Sequence, residues 1–186
     1  MNDLLTKAIV FSANAHEGQH RKVDQSPYIL HPMEVATIVG SMTQDEALIA
    51  AALLHDTVED TNTTMQDIME SFGERVASYV AIETENKREG QNPSDTWKIR
   101  KEETLAHLRQ TEDNNVRILW LGDKLSNLRS MYRAYLSLGD DLFQHFNQKD
   151  KSEQEWYYKQ VGMCLSPLQT TIAYREYMEL VHKIFD

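Results

Sequence analysis

The sequence has one cysteine, Cys164, in 186 residues. An internal disulfide is therefore excluded, as is a metal centre built on several thiolates of one chain. Glycine and proline are scarce, at seven and four, so the chain has few of the breakers that punctuate a many-stranded fold. Polar/apolar alternation bounded by turn residues is missing too, and with it the usual strand signal. No apolar run approaches the roughly 20 residues needed to cross a bilayer. Residues 1–7 lack a basic segment followed by an apolar stretch, so no signal peptide is expected. These absences together point to a cytoplasmic protein with no membrane partner. Basic charge is also short: 19 Lys and Arg stand against 29 Asp and Glu, for a net charge of −10. A broad nucleic-acid-binding surface is disfavoured, because it needs clustered cations. A small anionic substrate is compatible, provided that local cations and a metal overcome the field of the whole chain.

What is present is helical periodicity almost throughout. The pattern predicts helices over 2–17, 32–41, from 43–46 into the His55-Asp56 pair, and over 64–72, 74–84, 96–110 and 113–137. Another opens near Gln154, and a last one starts at Ser166-Pro167 and runs to about residue 184. Thr43-Gln44-Asp45-Glu46 is a capping-box pattern. Pro32 suits a first helical turn and disfavours helix at His31, which places that histidine at a bend. Two polar stretches, 85–95 and 138–152, read as exposed loops. No repeat or long linker divides the chain, so residues 1–186 are expected to form a single all-α domain with a proper core.

The chain is organised around Leu53-Leu54-His55-Asp56-Thr57-Val58-Glu59-Asp60. An imidazole and a carboxylate follow the apolar run 48–54, and two further carboxylates come within one turn. In a continuous helix, a spacing of four sets Glu59 above His55 and Asp60 above Asp56. Such a face would repel itself without a cation, and a divalent metal resolves the conflict. Asp123, embedded in an apolar stretch and four residues from Asn127, needs a buried partner or a metal. With His31 these residues make a mixed nitrogen and oxygen set suited to Mn²⁺, Zn²⁺, Fe²⁺ or Mg²⁺. Lys98, Arg100 and Lys101 near the start of a helix oppose the macrodipole preference and hint that they face an anion.

Several motifs together resemble the HD superfamily of metal-dependent phosphohydrolases. They are Ala15-His16-Glu17-Gly18-Gln19, Arg21-Lys22, Pro27-Tyr28-Ile29-Leu30-His31-Pro32, Ala52 through Thr61, Phe72-Gly73 with Val76, and Asp123-Lys124-Leu125-Ser126-Asn127-Leu128-Arg129. More narrowly, they are similar to the hydrolase domain of RelA/SpoT-type enzymes and to the stand-alone small alarmone hydrolases. Thr84-Glu85-Asn86-Lys87 and Arg100-Lys101-Glu102 resemble the stand-alone group in particular. The similarity spans about residues 4–135.

The resemblance implies a helical bundle of the HD type holding one Mn²⁺ on His31, His55, Asp56 and Asp123. It implies that Glu59 and Asp60 activate the attacking water, and that Arg21, Lys22, Lys101 and Asn127 bind the substrate. The implied reaction removes the 3′-pyrophosphate from guanosine 3′,5′-bispyrophosphate. Alternatives are an HD phosphohydrolase for another nucleotide, such as a dNTP or a phosphorylated dinucleotide, and a catalytically silent nucleotide sensor. No nucleotidyltransferase region is seen, so alarmone synthesis is not expected. Two segments depart from the family pattern: Val23-Asp24-Gln25 and the polar insert after Leu138. Trp156, Tyr157 and Tyr158 stay outside the assigned site, and association into a homo-oligomer is left open.

Overall fold

The computed structural model describes residues 4–88 and 90–186. The predicted start of the first helix at residues 2 and 3 therefore lies outside the described residues. The chain is all-α: among the described residues one isolated bridge, His20 to Pro27, stands where a sheet protein would have strands. The helices are α1 (Leu4–Ala15), α2 (Leu30–Gly40), α3 (Glu46–Leu54), α4 (Thr57–Asp60), α5 (Met65–Phe72) and α6 (Glu74–Glu83). They continue with α7 (Pro93–Gln110), α8 (Asn114–Leu138), α9 (Lys151–Cys164) and α10 (Ile172–Phe185). Two 3₁₀ turns, Gly139–His145 and Ser166–Leu168, join the last three helices.

Helix α3 is the centre. Alanine and leucine, strong helix formers, fill it. Leu48, Ala50, Ala51, Ala52, Leu53 and Leu54 are all buried, as expected of a helix that is apolar all round. α1, α2, α6 and α8 pack around it. α8 is the long partner, lying against α2, α3, α6 and α10 and burying residues from Val116 to Met131. Gly122 sets how closely α8 meets α2. A Cβ at this position would fall 2.8 Å from Val39 Cγ2 and 3.3 Å from Val35 Cγ1. The missing side chain lets the two helices close, which brings Asp123 beside His31.

Several local expectations are corrected. α2 starts at Leu30, so His31 lies inside its first turn rather than at a bend. Pro32 is tolerated there because first-turn amides have no intrahelical acceptor to lose. Asp45, not Thr43, caps α3 and accepts from Ala47 N at 3.1 Å. α3 stops at Leu54: Thr57 Oγ1 donates to Leu54 O at 2.7 Å and His55 Nδ1 donates to Ala52 O at 2.9 Å, so side chains take the carbonyls that a continuing helix would use. Asp60 N still donates to Asp56 O at 2.8 Å, so α4 carries Asp60 back over Asp56. α7 begins at Pro93, capped by Asn92, which shortens the loop predicted over 85–95; Glu89 of that loop lies outside the described residues. The stretch 138–152 contains buried Leu142 and Phe143, whose 3₁₀ turn plugs the core. Ser166-Pro167 opens a 3₁₀ turn, and Thr171 is the cap of α10.

Candidate active site

Four side chains meet where α2, the end of α3 and the middle of α8 converge. His31 Nε2 lies 3.4 Å from Asp56 Oδ2 and 3.2 Å from Asp123 Oδ1. His55 Nε2 lies 3.1 Å from Asp56 Oδ2 and 3.7 Å from Asp123 Oδ1. His31, His55 and Asp123 are 5%, 2% and 4% exposed, so water does little to offset their interactions.

The outer hydrogen bonds decide which imidazole nitrogens face inward. Ser126 Oγ donates to Glu34 Oε2 at 2.7 Å and therefore accepts from His31 Nδ1 at 2.9 Å. His55 Nδ1 can only donate to the Ala52 carbonyl. In the neutral imidazoles both Nε2 atoms then present lone pairs to two carboxylates. His55 Nε2 is buried and has no aligned hydrogen-bond partner. Burial disfavours a charged His55, yet Asp56 and Asp123 outweigh it and hold its pKa well above the ordinary value. Burial likewise opposes charge on Asp56 and Asp123, but the histidines, and Lys124 beside Asp123, hold both well below the carboxylate range. Such a cluster draws in positive charge. Ligand atoms of His31, His55 and Asp123 all lie within 4.8 Å of one another, and with Asp56 alongside, two nitrogens and carboxylate oxygens make a donor set that fits a divalent cation.

The outer carboxylates sit next to this cluster. Tyr28 Oη is 2.7 Å from Asp56 Oδ2 and 3.0 Å from Asp60 Oδ2, and its one proton serves one of them at a time. Gln19 Nε2 donates to Asp60 O at 2.7 Å, with His16 Nδ1 2.8 Å from Gln19 Oε1 behind it. Glu59 accepts from Glu85 N at 3.1 Å. Burial, with the charges of Asp56 and Glu85, pushes the Glu59 carboxyl up to about 7, a value suited to a group that takes or gives a proton near neutrality.

Glu59 and Asp60 line a cavity of about 650 Å³, with Arg21, Lys22, Lys87 and Arg100 as its cations. Arg21 Nη2 donates to Asn127 Oδ1 at 2.9 Å, and Asn127 Nδ2 donates to Asp123 Oδ1 at 2.7 Å. Lys101 does not line this cavity: its ammonium donates to Glu85 Oε1 at 2.6 Å and its side chain is 15% exposed. The anion that Arg100 and Lys101 face is thus the protein's own Glu85, which Arg100 meets at 3.0 Å. Of the three aromatics at the start of α9, Tyr158 lines the cavity together with Phe146. Tyr157 is buried against Trp97, and Trp156 packs under Lys98, whose Nζ is 3.3 Å from the ring centroid. Tyr28 and Lys87 carry no periodic signal, so periodicity gives them no role; their cue is that each stands inside a motif resembling the family's, Pro27-Tyr28-Ile29-Leu30-His31-Pro32 and Thr84-Glu85-Asn86-Lys87.

An HD domain family profile matches residues 8–150. The guanosine-3′,5′-bis(diphosphate) 3′-pyrophosphohydrolase MESH1 of Xenopus tropicalis is 40% identical over 135 residues, which are 70% of this chain and 71% of that protein. An enzyme with the same pyrophosphohydrolase name from Aquifex aeolicus is 37% identical over 132 residues, 69% of this chain. A GTP pyrophosphokinase of Myxococcus xanthus is 37% identical over 131 residues. The chain spans under a fifth of these last two, matching 18% and 17% of their lengths. Among solved structures, a metazoan ortholog of SpoT, described as hydrolyzing ppGpp, superposes with a TM-score of 0.79 at 26% identity, covering 98% of this chain and 96% of its own. A protein of Listeria monocytogenes EGD-e superposes with a TM-score of 0.73 at 34% identity, covering 86% of this chain and 98% of its own.

Proposed function

Taking as premise that this chain belongs to the HD-domain family, we propose that it is a Mn²⁺-dependent hydrolase removing the 3′-pyrophosphate from guanosine 3′,5′-bispyrophosphate. The products are GDP, or GTP from the pentaphosphate, and pyrophosphate. The observation that carries this reading is the junction of an inward-facing His₂Asp₂ cluster with a cation-lined cavity floored by two further carboxylates.

His31, His55, Asp56 and Asp123 would hold the metal. When bound, a divalent ion polarises a phosphoryl oxygen and makes hydroxide available near neutral pH. The protein's own groups do the rest. Glu59 and Asp60 are assigned to orient the attacking water and accept its proton, the role for which Glu59 is tuned towards neutrality. Tyr28 and Gln19 keep Asp60 in register with Asp56. Arg21, Lys22 and Arg100 offset phosphate charge inside an otherwise acidic protein. Asn127 orients Arg21 towards the substrate and steadies Asp123. Phe146 and Tyr158 give the cavity the apolar faces that a nucleoside base requires.

The test is pyrophosphate release from guanosine 3′,5′-bispyrophosphate by the Mn²⁺-loaded protein, run beside a panel of other nucleotides. Release from the alarmone, lost in Asp56→Ala, is the expected result. Turnover of a different nucleotide with none of the alarmone would overturn the substrate assignment and leave the metal chemistry standing.

A further inference from the structure

Residues 85–88 belong to a stretch that reads as an exposed loop, yet they are fastened to the carboxylates of the site. Glu85 N donates to Glu59 Oε2 at 3.1 Å. Lys87 Nζ donates to the Glu59 carbonyl oxygen at 2.8 Å, pairs with Asp60 Oδ1, and lies 3.6 Å from Glu59 Oε1. The other end of the segment is held by α7. The Glu85 carboxylate accepts from Arg100 Nη1 at 3.0 Å, Lys101 Nζ at 2.6 Å and Thr104 Oγ1 at 3.2 Å. A continuous path therefore runs from α7 through Glu85 and Lys87 to both outer carboxylates.

On the reading of Glu59 and Asp60 as the groups that handle water, we propose that Lys87 is a positioning residue for the reaction, clamping that pair from the cavity side. Asp56, Glu59 and Asp60 crowd three carboxylates into five residues, and like charges at such spacing push apart. The imidazoles meet Asp56 on its inner side. Lys87 supplies the cation for the outer two. Its donors also reach the main-chain carbonyl of Glu59, near the end of the one-turn helix α4. That contact fixes the backbone from which both side chains project.

Backbone strain sits next to this contact. Arg88 has φ +53, a left-handed conformation uncommon for a side chain of its size. It follows Lys87 directly and turns the chain away once the lysine has been presented. With a side chain 41% exposed, Lys87 makes an ion pair of the kind that adds little to folding stability. Its effect is expected in turnover rather than in melting temperature.

The experiment compares wild type, Lys87→Met and Lys87→Arg. Each Mn²⁺-loaded protein is assayed on guanosine 3′,5′-bispyrophosphate, and each is followed by hydrogen–deuterium exchange without substrate. Lys87→Met is expected to lower kcat on the order of 10- to 100-fold, up to the scale of a roughly 1 Å misplacement of a reacting group, with KM nearly unchanged. Lys87→Arg, which keeps charge and donors, is expected to recover most of the rate. Amide exchange in Lys87→Met is expected to quicken over residues 57–61 and 84–86 and nowhere else. A raised KM at unchanged kcat would overturn the proposal and make Lys87 a phosphate contact. Unchanged kcat together with unchanged exchange would overturn it as well. If wild type itself releases no pyrophosphate from the alarmone, the substrate reading fails on its own, and the exchange comparison still decides whether Lys87 clamps the pair.

Discussion

Arg21 and Asn127, 106 residues apart in sequence, are joined by a 2.9 Å hydrogen bond, and Asn127 continues to Asp123 Oδ1 at 2.7 Å. One amide thus connects a cavity cation to a carboxylate of the His–Asp cluster. Each contact has a charged partner, and such bonds are worth about 1.5–3 kcal/mol. Asn127→Ala is expected to lower kcat/KM by about 10- to 150-fold, the same range expressed as a rate. Steady-state kinetics with the alarmone would show it. A value within about threefold of wild type would remove Asn127 from the site.

Metal removal should be visible in both activity and folding. Chelation is expected to abolish turnover, and Mn²⁺ to restore it. Added Mn²⁺ at about 100 times its dissociation constant should stabilise the fold by about 2.7 kcal/mol, a rise of roughly 5–11 °C in Tm for a chain of this size. His55→Ala should lose that rise. Scanning calorimetry with and without Mn²⁺ makes the comparison, and an equal shift in the variant would move the metal elsewhere.

Gly122 is a packing position next to Asp123, a proposed metal ligand. Gly122→Ala places a methyl group where Val39 Cγ2 would be 2.8 Å away. Overpacking of this kind costs about 1–3 kcal/mol. The strain should also push α8 from α2 and separate Asp123 from His31. Lower denaturant stability together with weaker Mn²⁺ binding is the expected pair of results; stability loss with full Mn²⁺ affinity would show that the two helices adjust without disturbing the cluster.

Arg100 and Lys101 are neighbours with different expected phenotypes. Both hold Glu85, but only Arg100 also lines the cavity. Arg100→Ala is expected to raise KM about tenfold, the effect of losing one charge-assisted contact of about 1.4 kcal/mol. Lys101→Met should leave KM nearly unchanged and lower stability by about 1–3 kcal/mol, because Glu85 loses a buried partner. Kinetics and urea unfolding of both variants separate the two roles, and the reverse pattern would put Lys101 on the substrate.

Much of the architecture was legible because helical signals are local. The apolar run before His55 marks α3, and all of the run but Ile49 is buried because no face of it is polar. The helix read over 64–72 is α5, because Thr64 at its start and Gly73 at its end act through groups within a few residues of them. Local pattern misled where a side chain made an unusual choice. α3 ends early because His55 and Thr57 take its last carbonyls, and the stretch after Leu138 hides Leu142 and Phe143 in a turn with no helical period.

The sequence by itself determined that the chain is helical, that its charge is acidic, and that histidines and carboxylates stand beside apolar runs where solvation alone would not keep them. Only the tertiary structure decided which charges neutralise which. Arg100 and Lys101 have Glu85 as their anion, Lys87 meets Glu59 and Asp60, and Tyr28 bridges Asp56 and Asp60. The physical reason is range. Helix formation is governed by neighbours three and four residues away, whereas Coulomb and hydrogen-bond energies depend on distances through space, and the packing of α2, α3, α7 and α8 sets those distances.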